Sequence, residues 1–405
     1  MTGRGTAASA GVPPRTWRDS AGAWLGLGAA PGALVLGAQI GGRHDGHLPL
    51  QVLVAGGVVM ALLLAVQGRL GLRPPAGEDA TLSQLTPRYL PRTADRAITV
   101  LLAMAMVGWF GFNVGLGGGA VAALTGVPDP AGIVLLGLPI TAVLLAGAGR
   151  WNGVAVATTL SAIALIAIVA VRLAPPEPVL TTGHGGDGRF AADVAGYLGY
   201  VAVFAVRAPD FTVGFGRRRD LAWCVALLVG AALAASTVGA GLAAASGSTD
   251  VVAVLAGPDG LAVANLFVAA SVVAPTLTTM HSGALAVRRF GAVPHRAAVL
   301  AIAGPGLVLA LFRVDRMMLA WLSLLAAVLP ALVVPMAVEA ARRRRGRAPR
   351  PVPTWTWAPA SALALGLTVV ASPVAALAGL GAAVAATAAH TYGARRADGG
   401  RGERP

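Results

Sequence analysis

The chain has no lysine and a single cysteine, and only 12% of its 405 residues are charged. Each shortage excludes something. One cysteine, Cys224, makes no internal disulfide and no thiolate metal cluster. A soluble domain carries about twice this share of charge. With 56% hydrophobic residues and a mean hydropathy of +0.73, the composition is that of an integral membrane protein. The alternation of membrane β-strands is missing, so the spans are read as helices. Acidic residues number 17 against 31 arginines, a net charge of +14. Those arginines fall between apolar runs, and no recognition module accompanies them, which argues against nucleic acid as a partner. A nucleophile elbow, a phosphate loop and metal-ligand spacing are also missing, so the residues do not read as an enzyme or a cofactor binder. His44, Asp45 and His47 lie close together, but in a predicted outer loop they read as solvated residues rather than a metal site. Met1 to Ser20 lacks a cleavable signal pattern, so the first apolar run is expected to stay as a helix.

What the sequence does have is apolar runs of about 17–25 residues, the length that crosses about 30 Å of hydrocarbon. Twelve spans are predicted, near 21–40, 51–67, 98–124, 131–148, 152–172, 191–208, 221–245, 261–287, 296–312, 316–340, 355–371 and 374–391. The last two are short and alanine-rich, and ten or eleven spans are the alternative. The organisation expected is an N-terminal segment (1–20), a ten-helix core (21–340), a basic loop (341–354), two accessory helices (355–391) and a disordered tail (392–405). With the N-terminus inside, 26 of the 31 arginines fall on the inner side. The positive-inside rule then puts both termini in the cytoplasm of a multi-pass plasma (inner) membrane protein. The run Arg342 to Arg345, with Arg347 and Arg350, reads as a loop that stops insertion and meets anionic lipid.

Two features inside the spans point to function. The third span holds Trp109 and Asn113, four residues apart and so on one helix face. Tryptophan usually sits at the membrane interfaces, and an amide at mid-depth is costly. An indole plane beside an amide suits a flat, hydrogen-bonding ring; the alternative is that both merely pack between helices. The first span is interrupted at Gly26 to Gly32, around Gly28, Ala29 and Pro31, and the sixth carries Gly196, Gly199 and a Pro209-Asp210 exit. Interruptions at matching places in two five-helix halves are the pointer to a transporter built from inverted repeats.

Several segments, in order, resemble the nucleobase–cation symporters of the purine–cytosine permease type, over roughly residues 20–340. Pro31 to Gly42 is similar to the end of that family's first helix, and Gly108 to Leu116 to its Gly-Trp-Phe-Gly signature. Ala208 to Asp220 resembles the stretch after its sixth helix, His281 to Val287 the end of its eighth, and Asp315 to Ala340 its tenth. The resemblance implies an all-α polytopic membrane protein of about 12 helices, a LeuT-like 5+5 inverted repeat plus two C-terminal helices. It implies cation symport of a nucleobase-like small molecule by alternating access, with Trp109 stacking on the base and Asn113 bonding its edge.

Further roles follow from the same resemblance. Tyr200 or Phe204 would form the opposite wall, with Tyr197 as an alternative, and Thr278 and Thr279 would offer hydroxyls. Sodium would lie between a helix-8 hydroxyl such as Thr276 and the carbonyls of Gly28 and Ala29. Proton coupling would instead use His281 or Asp210; the plainer reading of Asp210 is a salt bridge to Arg207. The stretch Pro275 to Ser282 departs from the cytosine branch, because its Asn/Asp-rich run is absent and His281 replaces a tyrosine. Two rival readings stand beside symport of a heterocycle. One is a non-transporting sensor paralogue, and the other is a transporter of another solute, such as an amino acid, from the wider superfamily.

Overall fold

The computed structural model describes residues 13–147, 152–173, 177–182, 189–258 and 261–399. Among these, helices dominate, and the only sheet is two short parallel strands, β1 (Leu48–Pro49) and β2 (Leu180–Thr181). The first span is two helices, α1 (Ala21–Gly28) and α2 (Pro31–Arg43), parted at Ala29-Ala30. Pro31 explains the break: it has no N–H to continue α1 and its fixed φ suits the first position of a new helix. Then follow α3 (Leu50–Gly68), a short α4 (Leu82–Tyr89), α5 (Arg92–Thr125), α6 (Asp129–Leu145) and α7 (Asn152–Arg172). The second half runs through α8 (Arg189–Thr212), α9 (Arg218–Ser246), α10 (Val251–Ala256), α11 (Ala264–Ser271), α12 (Val273–Arg288) and α13 (His295–Leu311). It continues with α14 (Met318–Val328) and α15 (Pro330–Arg344), and the chain closes with α16 (Ala358–Val369) and α17 (Ala375–Gly399). Among the described residues, seven helical segments are long and apolar enough to cross a membrane, and α6 and α13 are shorter apolar helices.

The packing repeats itself between the halves. The broken first span packs on α9, while α8, the first span of the second half, packs on α3. Likewise α5 packs on α13 as α12 packs on α6. This exchange of partners is what two inverted repeats produce. Close approach sets the spacing: a Cβ on Gly37 of α2 would lie 1.9 Å from the Ser236 carbonyl oxygen of α9, and one on Gly239 equally close to that of Leu34.

Three sequence expectations need correction. The sixth span is not broken at Gly196 or Gly199; α8 is continuous. Its glycines serve packing instead, since a Cβ on Gly199 would lie 2.0 Å from the Leu322 carbonyl oxygen of α14. The second half is instead interrupted in the eighth span, between α11 and α12 at Val272, and in the tenth, between α14 and α15 at Leu329. Pro275 leaves the Ser271 carbonyl without a helical donor, and the Thr158 hydroxyl of α7 bridges the gap, donating to Ala270 O (3.3 Å) and accepting from Ala274 N (3.3 Å). The tail expected to be disordered from 392 instead continues α17 to Gly399, through Ala394-Arg395-Arg396-Ala397, residues of good helix propensity. Residues 400–405 lie outside the described residues.

Candidate functional site

Where α1 stops, a cavity of about 630 Å³ opens between α1, α5, α7, α8 and α12. That is the size of a small-molecule site. Its lining includes the buried Asn113 and the half-buried Trp109 of α5, the buried Tyr200 of α8, and Thr278 (exposed) and Thr279 of α12. Asp19, Gly22 and Ala23 at the N-terminal end of α1 line it and are exposed, so the cavity opens there, beside the half-buried Arg207 and Phe211.

The aromatic wall is built from edge-on contacts. The Trp109 ring meets Phe112 at 5.5 Å and 81°, and Tyr200 at 6.0 Å and 77°. Such near-perpendicular contacts hold the indole in place. The Tyr200 hydroxyl donates to the Leu27 carbonyl (2.6 Å), one of the last carbonyls of α1, so the helix break and the wall stabilise each other. Phe204 lies one turn further out, edge-on to Trp24 (4.9 Å) and tilted over Phe211 (4.5 Å).

Asn113 is only 5% exposed, lines the cavity, and has no side-chain hydrogen bond among the described residues. Its amide atoms are not enclosed but open onto the cavity. It is held in the wall as an unused donor and acceptor pair. Neither the Thr278 nor the Thr279 hydroxyl has a protein partner among the described residues. The Thr278 carbonyl, by contrast, accepts from the Ser282 hydroxyl (2.6 Å).

The remaining residues singled out in the sequence lie elsewhere. Thr276 is fully buried and donates to the Val272 carbonyl (2.6 Å), its own helix turn. Gly28 faces α9, where a Cβ would lie 2.3 Å from the Leu228 carbonyl oxygen, and Ala29 is buried beside it. Neither lines the cavity, though their neighbours Leu27 and Ala30 do. His281 is on the exposed face of α12. Asp210 accepts from Arg207 Nε (3.3 Å) and from the Leu82 N–H at the start of α4 (2.7 Å), so it caps a helix and anchors Arg207. Tyr197 faces α3, where Gly56 makes room for its ring.

Four lining residues were not placed at the site by the sequence reading. Thr158 and Thr159 of α7 line the cavity, signalled only by two adjacent hydroxyls in an apolar run. Arg207 also lines it, with its guanidinium 5.6 Å from the Phe211 ring centre. Asp19 at the mouth accepts from the Thr16 N–H (2.7 Å), and this bond holds its carboxyl below the usual range, so it stays charged.

The face opposite the mouth is shut. Arg313 reaches Asp315 with two bonds (3.0 and 2.9 Å) and also pairs with Asp129. Arg316 Nε meets Asp250 at 3.1 Å, and the Gln39 side chain bonds the Arg316 carbonyl and the Leu319 N–H, each at 3.1 Å. The buried Asp193 ties α8 to the end of α2 through His44 (2.7 Å) and Arg43 (3.2 Å).

A broken helix beside a one-sided cavity, within two halves that exchange partners, defines an all-helical polytopic membrane protein of the LeuT-like fold. The comparisons agree. The chain is similar to Mhp1 in its inward-facing conformation, with a TM-score of 0.68 at 16% identity over 97% of this chain and 96% of that one. It is similar to Mhp1, a nucleobase-cation-symport-1 family transporter, in a closed conformation with bromovinylhydantoin bound (TM-score 0.66, 18% identity, 96% of each chain). A Na+-coupled sialic acid symporter in a substrate-bound outward-open state is also similar, with a TM-score of 0.58 at 12% identity over 92% of this chain and 90% of that one. No protein-family model and no curated protein matches the sequence.

Proposed function

We propose that the protein is a secondary active transporter, a divergent relative of the nucleobase–cation symporters. It imports a nucleobase or related small heterocycle with Na+ or H+ by alternating access. The observation that carries this reading is the Asn113 amide, without a protein partner among the described residues and open to a cavity whose adjoining side is the Trp109 ring. A flat heterocycle supplies both missing interactions, a face for the indole and a donor–acceptor edge for the amide. The open hydroxyls of Thr278 and Thr279 lie within the same cavity. The bromovinylhydantoin bound to the similar Mhp1 supports a ligand of this kind.

With the N-terminus cytoplasmic, the mouth at Asp19 and Gly22 faces the cytoplasm, and the ion pairs around Arg313 and Arg316 close the outer side. The conformation is then inward-facing. The test is ligand-induced thermal stabilisation of the purified protein by cytosine, uracil, hypoxanthine and allantoin, with leucine as the contrasting ligand. At least one heterocycle is expected to raise the unfolding midpoint, and Asn113→Ala to abolish the rise. A rise with leucine alone would favour an amino-acid transporter instead.

A further inference from the structure

Two gaps open in the hydrogen-bond ladder of the eighth span, and proline explains one of them. Pro275 has no N–H, so the Ser271 carbonyl is left without its helical donor. The second gap lies one residue earlier. Ala274 has its N–H and Ala270 its carbonyl, and in an unbroken α-helix the first would donate to the second. Both turn instead to a side chain of another helix. The Thr158 hydroxyl of α7 accepts from Ala274 N (3.3 Å) and donates to Ala270 O (3.3 Å). A side chain inserted into the ladder in this way bends a helix, and the break at Val272 falls between the two bonded groups.

The insertion is particular to Thr158. The neighbouring hydroxyls of α7 bond their own helix, Thr159 to Ala155 O (2.9 Å) and Ser161 to Ala157 O (2.9 Å). Thr158 is buried and lines the cavity, as do Ala274 and Pro275 beside the bend. Thr278 and Thr279 follow about one turn further along α12. Docked in this way, α7 packs on α11, α12 and α1, where a Cβ on Gly26 would lie 2.7 Å from Thr159 Oγ1. It is nonetheless the least enclosed of the seven long spans.

We propose that Thr158 is a positioning residue, a wedge that makes the direction of α12 depend on the docking of α7. With α7 in place, the hydroxyl holds Ala270 and Ala274 apart, and α12 presents Thr278 and Thr279 to the cavity. With α7 withdrawn, the Ala274 N–H closes on the Ala270 carbonyl and the span straightens. The freed hydroxyl then bonds back to the Val154 carbonyl, as its neighbours bond theirs, so two hydrogen bonds are exchanged for two. An element with two such arrangements, biased by both the wall and the ligand site, is what coupling between them requires. The service of Thr278 and Thr279 to a ligand rests on the proposed function; the bend does not.

The test compares Thr158→Val, which keeps the shape and loses the hydroxyl, with Thr158→Ser, which keeps the hydroxyl, in the full chain carrying Cys224→Ser. Spin labels at Leu285 of α12 and Val66 of α3 follow α12, and labels at Leu266 of α11 and Val54 of α3 serve as the reference; all four side chains are exposed. Loss of a bend of about 20° would carry Leu285, about 16 Å along α12 from Ala274, by about 5–6 Å. Thr158→Val is expected to shift the Leu285–Val66 distance on this scale and to leave Leu266–Val54 unchanged, with Thr158→Ser like the parent. Heterocycle-induced thermal stabilisation should need about 3- to 10-fold more ligand in Thr158→Val, the worth of one hydrogen bond, and recover in Thr158→Ser. Equal Leu285–Val66 distances in all three chains would overturn the wedge. A shifted distance with unchanged affinity in Thr158→Val would overturn the positioning role. A shifted distance in a protein whose parent binds no heterocycle would uphold the wedge and refute the proposed function instead.

Discussion

Trp109 and Asn113 carry the account at the scale of single residues, and they were legible because helix periodicity puts residues four apart on one face. What the sequence leaves open is whether such a pair packs inward or faces a void; only the unpartnered amide decides that. Asn113→Leu should therefore leave the unfolding midpoint unchanged or raised, because the amide bonds nothing in the protein. The same change should lower heterocycle binding by tenfold or more, measured by ligand-induced thermal shift. Loss of stability would show that the amide has a structural role. Base–aromatic stacking is worth about 1–3 kcal/mol, so Trp109→Ala should weaken binding roughly 5- to 150-fold and Trp109→Phe less. Equal affinity in wild type and Trp109→Ala would remove the indole from the site. Asp210 illustrates the opposite case. Its charge in an apolar setting drew attention in the sequence, yet its two hydrogen bonds cap α4 and anchor Arg207.

At the scale of elements, proline was a better guide than glycine. Pro31 marked the α1–α2 break because it removes a donor wherever it lies. Pro275 acts the same way at the α11–α12 junction, a site that the sequence reading used only for its hydroxyls. Gly196 and Gly199 looked like a break and are instead a contact surface, since glycine serves both purposes and local sequence does not separate them. Gly199→Ala should then cost about 1–3 kcal/mol of stability through overpacking against α14, read as a lower unfolding midpoint. No change in midpoint would mean that α14 is not held at that distance. The ion pairs on the face opposite the mouth belong to this scale as well, because they join the segment before α14 to α2, α6 and α10. In a Cys224→Ser chain with spin labels at Ala253 and Met317, Arg316→Gln should populate a longer distance than the parent shows. An unchanged distance distribution would mean that the Arg316–Asp250 pair does not hold this face closed.

For the molecule as a whole, the two-half architecture was legible from span count, loop arginines and the break at Pro31. The fold comparisons support it at 16% and 18% identity, where likeness speaks of fold and not of ligand. The cavity itself was only partly legible. Its α5 wall came from residues unusual at mid-span and its α8 wall from the family resemblance, whereas the α7 wall, with Thr158 and Thr159, is brought in from a helix whose sequence is otherwise ordinary. Asp19 and Arg207 at the mouth depend on where α1 and α8 end relative to each other, a tertiary relation that no local pattern encodes. The central claim concerns what crosses the membrane. It is tested most directly by uptake of labelled cytosine, uracil, hypoxanthine and allantoin into proteoliposomes, under an imposed Na+ or H+ gradient, beside a Trp109→Ala control. The account predicts gradient-driven accumulation of at least one heterocycle that Trp109→Ala abolishes, with the effective gradient naming the coupling ion. Absence of accumulation under either gradient, from protein shown to be folded and inserted, would contradict it.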